Sequence, residues 1–241
     1  MPWFFVDDEI NENCLITGED ARHIEKSLRM RIGEELTLVS PKGVESSCEI
    51  TEFSSDGVRV SVKTQKPCEN EADVRVTLYQ SLTKGDKMDM IVQKAVELGV
   101  YRIVPVLTAR CISRPDEKQL FKKIDRWKKI ALGAASQSCR GIMPRVCEML
   151  SFEKALEEAK ATKGIIFYEG GGESLFTLVD KKSKQDISVF IGPEGGFELS
   201  EVEKAKAQGV TPATLGKRIL RAETAPLAAL SAIMLLTGNF D

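Results

Sequence analysis

Continuous apolar runs alternate with segments of helical periodicity from residue 74 onwards, and this alternation restricts the folds open to the chain. Runs typical of buried strands fall at residues 74–82, 102–107, 164–168, 187–191 and 211–215. Apolar residues at helical spacing fall at residues 86–98, 118–138, 152–161, 200–208 and 223–237. Such a rhythm predicts an α/β domain with a largely parallel sheet. Because such sheets bind ligands at the carboxyl ends of their strands, we expect a site in the loops after residues 168, 191 and 215.

The first part of the chain follows a different pattern. Short alternating segments such as 35–39 and 57–62 are separated by glycine-containing turns, which predicts a small β-rich domain, a barrel. Residues 19–28 begin with acids and carry apolar residues at helical spacing, so we expect one helix within it. The polar stretch 63–73 has no periodicity. We therefore place the boundary near Glu71, between domains of residues 1–70 and 71–241.

Composition disfavours several classes of protein. No apolar run reaches the roughly 18 residues of a membrane span, and the first residues lack a basic segment and a cleavage site, so we expect a cytoplasmic protein with no membrane contact. The six cysteines form no CxxC pair, and the one histidine, His23, lies far from every glycine-rich loop. We therefore expect neither a metal site nor a Ser-His-Asp or Cys-His active site.

Charge is unevenly distributed along the chain. Residues 1–70 hold 8 Lys and Arg against 14 Asp and Glu, a net charge of -6, whereas the whole chain carries -2. The remainder is therefore positive. Its densest basic stretch comprises Arg110, Arg114, Lys118, Lys122, Lys123, Arg126, Lys128 and Lys129. These side chains could meet phosphates, or they could form an ordinary solvated helix face.

A glycine-rich loop follows the fourth predicted strand. Residues 189–197 read Val-Phe-Ile-Gly-Pro-Glu-Gly-Gly-Phe, and we expect Ser200 to cap the next helix. Pro193 interrupts a GxGxxG pattern, and no Gly-Lys-Ser/Thr follows, which disfavours dinucleotide and nucleoside triphosphate sites. The loop on its own leaves two alternatives open, a ligand-binding loop or a turn of purely structural use.

A second charged loop precedes an apolar helix at 227–236. Arg218, Arg221 and Glu223 lie at its entrance, and charge held this close to a core needs partners. The alternative is a simple helix start, with Glu223 favourably placed at the helix dipole and both arginines solvated.

The two loops together resemble a known family. Ile-Gly-Pro-Glu-Gly-Gly-Phe at 191–197 and Leu-Gly-Lys-Arg-Ile-Leu-Arg-Ala-Glu-Thr-Ala at 215–225 are similar to the SPOUT-class family that methylates N3 of a uridine in 16S ribosomal RNA. The resemblance covers essentially the whole chain through further matches at residues 22–24, 28–30, 84–88, 93–99 and 110. One departure is Ser136, where the family usually has glutamate, although Gln137 and Arg140 remain.

This resemblance implies a fold and a cofactor. Residues 1–70 would form a PUA-like RNA-binding barrel, and residues 71–241 a SPOUT methyltransferase domain with a C-terminal trefoil knot. The chain would form a homodimer through part of the helix at 225–236. The methyl donor, S-adenosyl-L-methionine, would be held by Tyr168, Glu169, Gly170, Ile191, Gly192, Pro193, Glu194, Gly195, Leu215, Gly216, Arg218, Ile219, Leu220 and Arg221.

Catalytic and RNA-binding candidates follow from the same motifs. Arg221 would stabilise negative charge on the uracil, and Glu223 or Glu194 would accept or orient its proton. The implied partner is 16S ribosomal RNA within the small ribosomal subunit. Its contacts would come from Arg22, His23, Arg29, Arg31, Lys84, Lys87, Arg110 and Arg140.

Three alternatives stay open at this point. The same scaffold could methylate another nucleotide of ribosomal or transfer RNA. A non-catalytic RNA-binding assembly factor is disfavoured because Gly195, Arg221 and Glu223 are all present. A nucleotide-dependent oxidoreductase is disfavoured because its glycine fingerprint would follow an early strand, whereas this loop comes late.

Overall fold

The computed structural model describes residues 1–180 and 185–240. These residues form two compact units. The first comprises Met1–Glu71 and Ala135–Met143, and the second Ala72–Ala134 with the described part of Pro144–Asp241. The domain limits given above, 1–70 and 71–241, treat each domain as one continuous segment and stay a prediction.

The first unit is built on a five-stranded sheet in the order β1-β3-β4-β5-β2. Its strands are β1 (Trp3–Phe5), β2 (Asn13–Ile16), β3 (Glu35–Val39), β4 (Val44–Ser54) and β5 (Gly57–Pro67). β1 and β3 are parallel, and the other pairs are antiparallel. Phe4 and Ile16, from the two edge strands, share one core with Val58 and Val60 of β5. The β-rich fold is confirmed, while closure of the sheet into a barrel stays a prediction.

The predicted helix of this unit has two geometries. It begins as α1 (Gly18–Arg22) and continues as a π-helical turn over His23–Ser27. Ile24 anchors the turn because its side chain is fully buried in the core. The turn ends where Arg29 adopts a left-handed backbone with φ of 54°. Arg22 and His23 remain exposed on its surface.

The second unit contains an eight-stranded sheet in which all neighbouring strands are parallel. Its strands are β6 (Val76–Ser81), β7 (Arg102–Leu107), β8 (Arg145–Val146), β9 (Leu150–Ser151), β10 (Lys163–Phe167), β11 (Glu173–Ser174), β12 (Ile187–Ile191) and β13 (Thr211–Thr214). The order is β11-β13-β10-β12-β6-β7-β8, with β9 also pairing β7. The predicted α/β class is confirmed. The three strands that the sequence did not predict have two residues each, too few for a periodic pattern.

Helices follow the strands of this sheet. They are α2 (Lys87–Glu97), α3 (Glu117–Gln137), α4 (Phe152–Ala159), α5 (Leu175–Leu178), α6 (Leu199–Ala207) and α7 (Ala225–Leu236). Five of them match predicted helices to within a few residues, and α5, a single turn, was not predicted. The expectation that Ser200 caps α6 is wrong, because the N-cap is Glu198 and Ser200 lies in the first turn. The backbone N–H of Glu198 donates to Glu201 Oε2 at 2.9 Å.

Aromatic packing fixes one face of the sheet. The rings of Tyr79 and Phe190, on adjacent strands, stack with centroids 4.5 Å apart, and Phe152 of α4 meets Phe190 edge-on. Val202 and Ala205 of α6 complete the same core. Such packing leaves the strand ends little freedom, so the loops that follow them start from fixed positions. None of the helices in the described parts of the chain is long and apolar enough to span a membrane.

Candidate functional site

A cleft of about 460 Å³ opens at the carboxyl end of the parallel sheet, a volume typical of small-molecule sites. Three neighbouring strands, β13, β10 and β12, point their ends at it. Its walls are the three loops that follow them, together with Ala225 at the start of α7. The structure therefore brings together the three loops that the sequence predicted as a site.

The predicted cofactor-binding residues nearly all lie in this wall. Every one of them except Gly170 lines the cleft. The lining also includes six residues that were not predicted, namely Phe167, Gly196, Thr214, Lys217, Ala222 and Ala225. Gly196, Lys217, Ala222 and Ala225 lie inside the two motifs, so treating each motif as a continuous wall would have found them. That the predicted residues bind the methyl donor stays a prediction.

The glycine loop needs its glycines for close approach. The backbone N–H of Gly196 donates to the Pro193 carbonyl oxygen at 2.9 Å and closes a tight turn. Gly196 has φ of 66°, and a Cβ there would lie 2.6 Å from Glu169 Oε2. A Cβ on Gly192 would lie 3.1 Å from the Gly196 backbone. Side chains are therefore disfavoured at Gly192 and Gly196, and the backbone at these positions has no side chain beside it.

Residues after β7 hold the glycine loop from the other side. Arg110 Nη1 donates to the Gly195 carbonyl oxygen at 2.8 Å. The neighbouring Ala109 N–H donates to Glu201 Oε1 at 2.9 Å. Glu201 is a buried carboxylate that thus joins the end of β7 to the start of α6. Sequence reasoning missed Glu201, since a single acid in a helix carries no distinguishing signal.

A shared lysine connects the two charged loops. Lys87 Nζ at the start of α2 lies 3.2 Å from Glu194 Oε1 and 3.1 Å from Glu223 Oε2. Glu194 Oε1 also accepts the Lys84 N–H at 3.0 Å. We call Lys87, Glu194 and Glu223 the bridged trio. Glu194 lines the cleft, whereas Glu223 does not, which favours a positioning role for Glu223 over the predicted proton transfer.

Both carboxylates of the bridged trio are held as anions. The pKa of Glu223 is lowered by a hydrogen bond from its own N–H and by the Lys87 ammonium. Burial acts to raise the pKa of Glu194, but the backbone N–H groups of Lys84 and Glu194 and the Lys87 ammonium outweigh it and lower the pKa overall. The same contacts, with Glu223 first, raise the pKa of Lys87. The trio therefore carries one net negative charge at neutral pH.

The predicted arginines of the second loop lie at the edge of the cleft. Arg218 and Arg221 both line it and both are exposed. Ile219 between them is also largely exposed, at 85%. An apolar side chain and two guanidinium groups at the opening could meet a nucleobase and its phosphates.

Most predicted RNA-binding residues keep accessible side chains. Arg22, His23, Arg29 and Arg31 are exposed in the first unit, and Lys84 is exposed in the second. Lys87 pairs with Glu194 and Glu223, and Arg110 donates to the Gly195 carbonyl oxygen, so both side chains would bind a phosphate less strongly.

Arg140 does not fit the role predicted for it. Its side chain is buried, and its Nε and Nη2 donate to the two carboxylate oxygens of Glu71, each at 2.8 Å. Glu71 Oε1 also accepts the N–H of Gly141 at 2.7 Å. The expectation that Arg140 contacts RNA is therefore corrected, because its guanidinium is used inside the first unit.

Comparison with known proteins agrees with these motifs. A family described as an RNA methyltransferase domain matches residues 70–234, and one described as an RNA methyltransferase PUA domain matches residues 16–63. Ribosomal RNA small subunit methyltransferase E of Bacillus subtilis is 38% identical over 90% of this chain and 88% of that protein. The chain belongs to this methyltransferase E family. The predicted family is thus confirmed.

Solved structures of similar proteins have the same fold. Ribosomal RNA small subunit methyltransferase E from Neisseria gonorrhoeae, bound to S-adenosyl methionine, matches with a TM-score of 0.88 and 34% identity over 98% of each chain. A putative methyltransferase from Legionella pneumophila, in complex with the same cofactor, matches with a TM-score of 0.88 and 29% identity over 97% of this chain and 96% of that one.

Proposed function

We propose that the chain transfers a methyl group from S-adenosyl-L-methionine to N3 of one uridine in the 16S RNA of the small ribosomal subunit, in the cytoplasm. One observation carries this proposal. The cleft is walled by the two segments, 191–197 and 215–225, that also carry the family resemblance. In a chain that belongs to the methyltransferase E family, this makes the cleft the natural donor site.

The chemistry of the cleft suits that donor. Phe167, Ile191 and Leu220 offer apolar surface for an adenine, and Gly192 and Gly195 place backbone without a side chain in the cleft wall. The Glu169 carboxylate is available for ribose hydroxyls. Glu194 is the member of the bridged trio that lines the cleft, and its carboxylate can attract a ligand with a positively charged sulfur.

The residues of the chain would prepare the uracil for attack. When bound, the donor supplies an electrophilic methyl group. Uracil N3 must lose its proton to become nucleophilic, which places negative charge on the neighbouring carbonyl oxygens. Arg221, a cation in the cleft wall, would stabilise that charge. Glu194, ionised and held by Lys84 and Lys87, would orient or accept the proton.

Methyl transfer to purified 16S RNA or small subunits tests this assignment. RNA treated with the protein and isotopically labelled donor is digested and examined by mass spectrometry. We expect one labelled methyl group on a uridine N3. A label on another nucleoside would redirect the assignment to a different target, and RNA without a label would contradict the activity.

A variant at Arg221 tests the mechanism. We expect Arg221→Ala to reduce kcat by about 100-fold or more under saturating donor, a larger effect than any loss of donor affinity measured by calorimetry. Arg145→Ala removes an exposed arginine at the first residue of β8 and serves as the matched control. Equal rates for both variants would remove Arg221 from the mechanism.

We also infer that the chain acts as a homodimer. Leu227, Ala228, Ala232 and Leu235 form one incompletely buried stripe along α7, and Leu235 is 62% exposed. An apolar stripe of this kind supports an interface between two copies. A charged substitution, Leu235→Asp, should convert the protein to a monomer in sedimentation velocity.

The remaining features of the family belong to the same proposal. They are the division into domains of residues 1–70 and 71–241, the closed PUA-like barrel and the C-terminal trefoil knot. The shared core of both edge strands supports the barrel, and the match to a PUA domain supports RNA binding by Arg22, His23, Arg29 and Arg31.

A further inference from the structure

The amino-terminal half of α3 presents an exposed aromatic ring between lysines. Phe121 is 72% exposed, and Lys118 and Lys122 beside it are also exposed. Residues at these spacings share one face of a helix. Lys123 follows directly and is half-buried. We call these four residues the α3 patch.

The lysines of the patch are not neutralised by the acids around them. Arg126 is paired with Asp89 and lies 3.9 Å from Asp86, and Lys129 pairs with Asp125 at 3.2 Å. In the described residues, 1–180 and 185–240, no ion pair involves Lys118, Lys122 or Lys123. In the described part of the chain the patch therefore keeps three lysines without an ion pair beside an uncovered ring, and the exposed acids Asp116 and Glu117 just before it reduce its net positive charge.

A groove connects the patch to the loop that holds the cleft. Lys122 and Lys123 line a cavity of about 220 Å³ together with Gly85, Asp86, Asp89, Arg126 and Trp127. The residue before Gly85 is Lys84, whose N–H binds Glu194 in the cleft wall. One short loop thus touches both the groove and the cleft.

We propose that the α3 patch binds single-stranded RNA next to the target nucleotide, with the lysines on phosphates and one base stacked on Phe121. This inference rests on the proposed function, since it extends the substrate surface of the same cleft. Alternating cations and aromatic rings are the general means of holding single strands without reading sequence. A second copy of the chain fits the patch poorly, because two such patches would repel each other. Protein interfaces also disfavour lysine.

Binding of a labelled single-stranded oligoribonucleotide from 16S RNA, without methyl donor, tests the patch. Anisotropy titrations over a salt series compare the wild type with a triple variant, K118Q/K122Q/K123Q, and with Phe121→Ala. We expect the triple variant to bind at least about tenfold more weakly, with a salt slope smaller by about 2. Phe121→Ala should weaken binding by about fivefold or more and leave the slope unchanged.

The matched control removes two exposed lysines of α6, K204Q/K206Q, which pair with Glu153 and Glu203. It should bind RNA as the wild type does. Donor affinity by calorimetry should be equal in all the proteins, which excludes misfolding as the cause. RNA binding by the triple variant equal to that of the control would overturn the proposal. A change from dimer to monomer in Phe121→Ala would overturn it too, because the ring would then contact a second copy.

The two proposals can fail separately. Methyl transfer by the wild type reports on the proposed function alone, whereas the loss of donor-free RNA binding in the triple variant reports on the α3 patch alone.

Discussion

The two ends of the parallel sheet use similar residues in different ways. At the amino end, Arg102, the first residue of β7, donates to Glu158 Oε2 at 2.8 Å and to the Tyr79 hydroxyl at 2.9 Å. At the carboxyl end, the Lys87 ammonium is shared by Glu194 and Glu223. Each end therefore places one cation against acidic or phenolic groups from neighbouring elements.

The balance of charge distinguishes them. At the amino end one cation meets one carboxylate, and burial raises the pKa of Tyr79, so the phenol stays neutral. At the carboxyl end one cation meets two carboxylates with lowered pKa values, and a glycine loop exposes the backbone beside them. The amino end is thus neutral and stabilising. The bridged trio at the carboxyl end keeps one negative charge, next to a cleft whose wall also carries Lys217, Arg218 and Arg221.

Removing the shared cation should have the largest effect. Lys87→Met leaves two carboxylates repelling each other between the loops that form the cleft wall. Because misplacement of about 1 Å can reduce a rate by about 100-fold, we expect a loss of that order in kcat/KM. Thermal denaturation should show that the variant remains folded, and calorimetry should show weaker donor binding.

The control for Lys87 lies on the same helix. Lys94 pairs with Glu97 at 2.8 Å, away from the cleft lining, and Lys94→Met should keep near wild-type activity. If Lys87→Met kept near wild-type activity as well, the contacts of Lys87 would matter no more than those of an exposed ion pair. The contrast between the two ends of the sheet would then disappear.

A side chain at Gly196 should have the next largest effect. In Gly196→Ala the new Cβ meets the Glu169 carboxylate on a left-handed backbone, so the turn and the cleft wall must shift. We expect donor affinity to fall by about tenfold or more, measured by calorimetry. Gly209→Ala is the control, because Gly209 has φ of 83° and a Cβ added there would have nothing within 4 Å. Gly209→Ala therefore introduces backbone strain without a steric clash, and this variant should bind the donor as the wild type does.

The sequence predicted the position of the cleft because its signals are local. Strands appear as apolar runs in the sequence, and the loops at residues 191–197 and 215–225 begin where two of these runs stop. The bridge through Lys87 was out of reach, since it joins residues 107 and 136 positions apart. The prediction that Arg140 contacts RNA failed for a different reason. Arg140 lies in a motif of the family, but the motif does not show that its side chain binds Glu71 of the same unit. Patterns along a chain locate elements, whereas side-chain partners depend on which elements the fold makes neighbours.

A variant at the amino end should change stability without changing activity. Arg102→Met removes the hydrogen bonds to Glu158 and Tyr79, and we expect a loss of about 1 to 2 kcal/mol in the free energy of unfolding by urea denaturation. The exposed pair of Lys160 and Glu157 provides the control, since Lys160→Met should cost less than about 0.5 kcal/mol. Lower activity per folded molecule in Arg102→Met would contradict the division between the two ends.

The smallest expected effect concerns acid stability at the carboxyl end. A carboxyl group with a lowered pKa in the folded protein stabilises it above the ordinary value of 4.5, and this contribution is lost as the pH falls through the lowered pKa. Glu223→Gln removes one such group, so its melting temperature should fall less than that of the wild type between pH 5 and pH 3. We expect a difference of roughly 1 to 2 °C by scanning calorimetry. Glu9 and Glu153, whose pKa values are also lowered by lysine partners, are present in both proteins and cancel in the comparison. An equal fall in melting temperature for both proteins between pH 5 and pH 3 would mean that the folded protein gains no stability from ionised Glu223, and the contact between Lys87 and Glu223 would then contribute nothing to the carboxyl end.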